Sequence, residues 1–393
     1  MIIRNYRLFA ILFLLIGSMA VVSTSASPEK WSYDIESKYA IENGRIFTEL
    51  EVYNNYLFVT TTGLYKLIIL DYQQGNLTEI ASYRGNVIYH WLHISEKYIV
   101  ATNTKHIDIF SYDLSEGTIT LLHSLDSDSA VFDGYLRQNE PGNLTFVYAT
   151  GIRQSTIIAS YKAYTRELTF TDTSYNLHDA VSQSLVITGV ARVLEDNQGN
   201  HIFLYNKILV LGPNGNRKVI DTVENEKVRD QRGVAYSGEY LYFVTQYNDY
   251  MGSPLETRLF ALRYPGTGQY STKDYQSYVN IDGTRDMLYY NDSIILANDE
   301  NGIKIVKHHP DANLSFTELM KINATLAITD LARIESTIFF GDASTLYGLS
   351  IVDEVPSPSP NETAPFPIIG ILPTLLMITV VKSKKTSKKL IKS

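Results

Sequence analysis

An all-β fold, a single seven-bladed β-propeller spanning residues 27–354, is what this sequence predicts, and three observations lead there. Between Trp31 and Glu354 there is almost no helical periodicity; short runs rich in Val, Ile, Tyr, Phe and Thr recur, separated by Gly, Asn and Asp turns, as many short strands require. Seven of the runs are strongly apolar, with successive ones about 40 to 57 residues apart, the length of a four-stranded propeller blade. Each is followed by a short polar turn and a second apolar run, the start of a meander. A six- or eight-bladed ring is the alternative, the weak unit being an insertion in the six-bladed case.

The first segment, residues 1–26, has the parts of a secretory signal peptide. Arg4 and Arg7 precede an apolar run from Leu8 to Ile16 and a small-residue region from Gly17 to Ala26. Cleavage after Ala20 or Ala26 satisfies the small-residue rule at the exit site; an uncleaved signal anchor is the alternative, and either would export the repeat region. The sequence contains no cysteine, which excludes disulfides, thiolate catalysis, Cys-ligated metals and a lipid attached through an N-terminal Cys. Stability must then come from a large packed core, and the chain is long enough to build one.

The central apolar runs begin at Tyr56, Tyr98, Phe146, Ile202, Leu241, Ile294 and Ile338. Before several of them lies another strand opened by an acid: Arg229-Asp230, Arg285-Asp286 and Thr329-Asp330. The last unit has room for only three strands before the proline spacer, and residues 31–40 precede the first complete unit with no other role. A propeller protects its edges best when one terminus completes the other's blade, so residues 31–40 are expected to pair with the last unit. The run RDMLYYNDSIILANDENGIKIV, Arg285 to Val306, resembles the repeat called LVIVD, found in secreted and surface β-propellers. The resemblance extends to the units around residues 56, 98, 244 and 340, and is weakest around 204. It implies a fold, not an activity.

Residues 355–365 contain PSPSP at Pro356 to Pro360, a stiff extended spacer. Residues 366–381 are uncharged, 16 in all, short against the roughly 20 that span a bilayer, though snorkelling lysines extend such a segment. Six lysines follow in the tail 382–393, which argues for a cytoplasmic C-terminus. Spacer, short apolar stretch and basic end resemble the C-terminal sorting tails of archaeal surface proteins, which leaves open whether the segment is retained or processed. The expected location is the cell membrane, with the propeller on the extracellular side.

Without the two signal arginines and the six tail lysines, 26 basic residues remain against 42 acidic ones, a net charge of about −16. Such a surface repels nucleic acid and anionic headgroups. Six N-glycosylation sequons occur, at Asn76, Asn143, Asn291, Asn313, Asn323 and Asn361, and export makes their modification possible.

No catalytic constellation and no cofactor motif stands out. The loops Asp196-Asn197-Gln198-Gly199 and Asn298 to Gly302 lack the spacing and closing Glu of a calcium loop, and read as tight turns. His90 and His93, or the adjacent His308 and His309, do not converge locally on strands, so no metal is expected. Asp230, Asp286 and Asp330 are candidate binding residues at the channel mouth, for a cation or a sugar; the competing reading is that each carboxylate satisfies backbone N–H groups nearby. Tyr247, Asp249 and Tyr250, in the long connection Gln246 to Glu256, are candidate contacts for a protein or glycan ligand on the membrane-distal face. The expected function is a membrane-tethered binding module; the rivals are an extracellular enzyme acting on polysaccharide or peptide through channel-mouth acids, and a structural envelope component.

Overall fold

The computed structural model describes residues 30–354, apart from 41–46, 104, 127–130, 151–154, 163–165, 177–191, 205–207, 213–216, 221–232, 249–253, 265–274, 280, 282–283, 285, 299–301, 311–315, 323–327 and 343–344. The expected signal, spacer, anchor and basic tail lie outside the described residues. Among the described residues no helix is long and apolar enough to cross a membrane.

The described chain forms seven four-stranded antiparallel sheets. Six are consecutive meanders, at 47–84, 91–126, 131–176, 192–220, 234–279 and 286–322. The seventh takes three strands from 328–354, and its outermost strand is Lys30–Ala40 from the other end of the chain. That is the closure expected of residues 31–40. Its physical reason is the edge problem: Thr345–Glu354 would otherwise present a row of unpaired N–H and C=O groups.

Local chemistry explains the turns. Asn291 and Asp292 both adopt positive φ, 47° and 56°, as a two-residue type I′ hairpin demands, and Asn and Asp tolerate that region better than other side chains. At Asp196 the side chain accepts hydrogen bonds from the N–H groups of Gln198 and Asn200, both at 2.8 Å. This loop is therefore a self-satisfied turn, as its sequence suggested.

The second and third strands of each sheet carry the core. Leu57, Phe58, Leu67 and Ile69 in the first sheet, and Ile294, Ile295, Ile303 and Ile305 in the sixth, are fully buried. Alternate residues face opposite sides of a sheet, so both faces are apolar and each sheet packs against two neighbours. Ile295 and Ile305 pack on Leu331 and Phe340 of the seventh sheet, while Ile294 and Val306 pack on Tyr242 and Leu259 of the fifth. The seventh sheet in turn meets the first, with Ala332, Phe339 and Leu346 against Phe47, Leu57 and Ile68. A Cβ on Gly341 would come within 3.0 Å of Phe47, so glycine lets this closing junction pack. Sheets packed face to face in cyclic order, with first strands innermost, make a β-propeller.

Tyrosine hydroxyls tie the sheets across several junctions. Tyr72 bonds Thr337 at 2.8 Å, Tyr242 bonds His308 Nδ1 at 3.0 Å, and Tyr264 donates to Asp196 at 2.9 Å. Each ring fills apolar space while its hydroxyl finds a partner in another sheet. This accounts for part of an abundance of 29 tyrosines that the sequence alone leaves ambiguous.

Candidate functional site: an acid-lined channel

The inner strands enclose a cavity of about 430 Å3. Asp286 opens the inner strand of the sixth sheet, and Asp330 lies in that of the seventh; both line this cavity and are 5 % exposed. Three further acids join them. Glu49 and Glu51 come from Phe47–Tyr53, two residues apart and so on one strand face. Asp133 comes from Val131–Glu140. Among the described residues a single guanidinium, Arg192, joins them from the inner strand of the fourth sheet. Among the described residues Asp286 and Arg192 stand first in their strands, which places the cluster at the end of the channel shared with the connections between second and third strands.

The aspartates have a structural job. Asp286 Oδ2 accepts the N–H of Leu331 at 3.0 Å, and Asp133 Oδ2 accepts that of Val193 at 2.8 Å. Asp330 Oδ2 accepts the N–H of Leu50. In every case the acid of one sheet's inner strand receives a proton donor from the inner strand of the next, so these carboxylates stitch the ring around the channel. Of the two readings open for Asp286 and Asp330, the backbone-satisfying one is realised, with the donor in the neighbouring sheet rather than in an adjacent loop.

Arg192 is the electrostatic centre. Its Nη2 donates to Asp286 Oδ1 at 2.7 Å, while Nη1 stands 3.8 Å from both Glu49 Oε1 and Asp133 Oδ1. Burial works against its charge, but Asp286, Asp133, Glu49 and Asp330 outweigh that and hold it cationic. One guanidinium cannot neutralise five acids. Burial pushes Glu49 well above the usual carboxylate range against the pull of Arg192. Glu51 is pushed up to about 8 by burial, with Arg192 opposing and Asp133 and Asp286 adding to the rise. Asp133 is raised by burial despite Arg192 and the N–H of Val193. Asp330 is raised by burial and by the neighbouring charges of Glu49 and Asp286. These are the shifts expected where like charges are taken out of water together.

No protein-family model matches this chain, and no curated protein does either. Solved structures do match. YCF48 from Cyanidioschyzon merolae superposes with a TM-score of 0.56 at 9 % identity, covering 82 % of this chain and 99 % of its own. Sqt1 of Saccharomyces cerevisiae gives 0.55 at 9 % identity, over 80 % and 98 %. The WD40 domain of Neurospora crassa Pan2 gives 0.53 at 7 % identity, over 81 % and 95 %. The shared feature is the β-propeller. At such identities the likeness carries the fold and nothing of function.

The other expected site residues fall elsewhere. Asp230, Asp249 and Tyr250 lie outside the described residues, as do Asn313, Asn323 and Asn361. Tyr247 sits in Tyr240–Asn248, paired with Glu256. Asn76 and Asn291 are exposed, in connections between third and fourth and between first and second strands respectively. Asn143 is half-buried and its Nδ2 donates to Glu140 at 3.0 Å. Among the described residues no His, Asp and Glu group is arranged to hold a metal ion.

Glu49, Glu51, Asp133, Arg192 and His93 were not singled out from sequence as site residues. For Glu49 a signal existed: it stands eight residues before Leu57, as Asp286 does before Ile294 and Asp330 before Ile338. Pairing confirms the equivalence, with Val52 opposite Leu57, Tyr289 opposite Ile294 and Arg333 opposite Ile338. Arg192 had no such precedent, because it is the basic exception in a series of acids.

Proposed function

We propose that this chain is a seven-bladed propeller of LVIVD type, exported by its N-terminal segment, held at the cell membrane by 366–381, and used to bind a protein or glycan partner. The observation that carries the binding reading is the long hairpin of the fifth sheet. In the fifth sheet the described part of the inner strand pairs as far as Val234 with Phe243, Gly233 accepting the N–H of Val244 at 3.2 Å, and that of the outer strand reaches Arg258 with Val279. The hairpin between them continues through Thr245–Arg258, Gln246–Thr257 and Tyr247–Glu256 to Asn248–Pro254. Residues 245–248 and 254–257 extend the hairpin beyond the described parts of the flanking strands, at the same end of the channel as the acid cluster. Such a hairpin sets the long connection Gln246 to Glu256 at one end of the propeller, where loops carry binding contacts. Tyr247 lies on this hairpin, and Asp249 and Tyr250 belong to the connection between its strands.

Two tests apply. The full chain in mild detergent should capture a reproducible partner from cell-envelope extract, and joint replacement of Tyr247, Asp249 and Tyr250 by alanine should reduce that capture at least tenfold. Asn76→Gln, at a connection of the opposite end, should leave it intact. Loss through Asn76→Gln with retention in the triple variant would mean the binding face is the other one. Protease added to intact cells should degrade the propeller and leave a small C-terminal fragment; a propeller protected under those conditions would sink the export reading. Sequon occupancy at Asn76 and Asn291 should then appear as a mass increment on the exported protein.

A further inference from the structure

We propose that the channel binds an organic cation bearing N–H donors, an ammonium or guanidinium group, between Glu49, Glu51 and His93. The three aspartates of the cluster are accounted for by the ring, since each accepts a backbone N–H from the next sheet. The two glutamates are not. Glu49 is 9 % exposed and reaches only Arg192, at 3.8 Å; among the described residues Glu51 makes no hydrogen bond or ion pair. Independently, His93 lines the same cavity, is 7 % exposed, and its Nε2 has no hydrogen-bond partner among the described residues. Buried polar groups are normally satisfied; His93 Nε2 is not, and it shares its cavity with two glutamates that accept no backbone N–H among the described residues.

The chemistry selects the ligand. Five carboxyl groups face one guanidinium among the described residues, so once Glu49 and Glu51 give up their protons the cavity favours a cation over an anion. The described side chains form no metal-holding group, and a cavity of about 430 Å3 is far larger than a bare ion. It has room for an alkyl stem with a charged head. Arg192 already shows that these carboxylates hold a guanidinium, with Asp286 at 2.7 Å. Burial lowers the His93 pKa to about 3, with Arg192 adding to the effect, so its ring stays neutral and does not repel a second cation.

Binding should be linked to protons. Glu49 and Glu51 face the cavity from the first sheet and His93 from the second; Asp133 and Tyr135 face it from the third. The fourth sheet adds Arg192 and Glu195, the latter paired with Arg137, and the sixth and seventh add Asp286 and Asp330. Among the described residues the fifth contributes Val234, which does not titrate. With Glu51 titrating near 8, a cation must displace a proton at neutral pH, so affinity rises as pH climbs through that value.

A partner's lysine or arginine side chain and a free polyamine share this chemistry. Titration calorimetry on the full chain in mild detergent, at constant ionic strength, should compare agmatine, 1,5-diaminopentane, tetramethylammonium, calcium chloride and a capped tripeptide with a central arginine. Agmatine or diaminopentane should bind at least tenfold more tightly at pH 8.5 than at pH 5.5, and Glu51→Gln should cost at least tenfold at pH 8.5 without lowering the melting temperature. Matching affinity for the tripeptide assigns the cation to a protein partner; binding of the amines alone assigns it to a polyamine. The inference is overturned by an absence of amine binding, by equal binding of calcium or tetramethylammonium, or by affinity indifferent to Glu51→Gln or to pH. Amine binding that survives the triple alanine replacement on the hairpin, while capture is lost, separates this inference from the hairpin reading.

Discussion

Replacing Arg192 with methionine should destabilise the propeller by about 3–5 kcal/mol at pH 8, the usual cost of leaving buried charges without their partner. Methionine keeps the length and the apolar stem, so the loss is one of charge. The raised carboxylates of Glu49, Glu51, Asp133 and Asp330 set the pH dependence. A carboxylate raised in the folded state binds more protons there than in the unfolded chain, so stability falls as pH climbs from the unfolded value, about 4, through the folded one. The wild-type melting temperature should therefore decline between pH 5 and pH 8.5. In Arg192→Met the decline should be steeper, and the two proteins should converge as pH falls and the raised acids Glu49, Glu51, Asp133 and Asp330 take up protons. Melting curves across this range decide it, and a deficit of equal size at both ends of the range would show that Arg192 contributes packing rather than charge.

A chain beginning at Asn43 should lose the outermost strand of the seventh sheet and with it the closure of the ring. Lys30–Ala40 is 11 residues long and covers the edge of Thr345–Glu354. Without it that edge is open to pairing with other copies, and the expected result is aggregation, or a melting temperature lower by on the order of 10 °C, relative to a chain beginning at Ser27. Light scattering and thermal melts compare the two. Equal stability and solubility would show that the strand adds nothing to the ring.

These two predictions draw on different amounts of sequence information. Closure was legible, because a count of strands in the last unit left one missing and residues 31–40 left one spare. The repeat was legible where hydrophobic runs are long, as in Tyr56–Thr61 and Ser293–Ala297. It faded in the fourth sheet, where the described part of each strand is 4 residues long and shows little alternation. Asp286 and Asp330 were legible as recurring acids, and their role as backbone acceptors was one of the two readings that pattern allowed.

The alternation of apolar and polar residues, the turn chemistry and the spacing of the runs determined the all-β repeat by themselves, because each depends on neighbours within one unit. The channel did not follow from any of them. Glu49, His93, Asp133 and Arg192 lie between about 40 and 60 residues apart along the chain, one on each of the first four inner strands. A charge reveals its partner in sequence only when the two share a strand or a turn. Here every partner is in another sheet, and only closing the ring brings five acids and one guanidinium into a common space where desolvation, and not local propensity, decides their protonation.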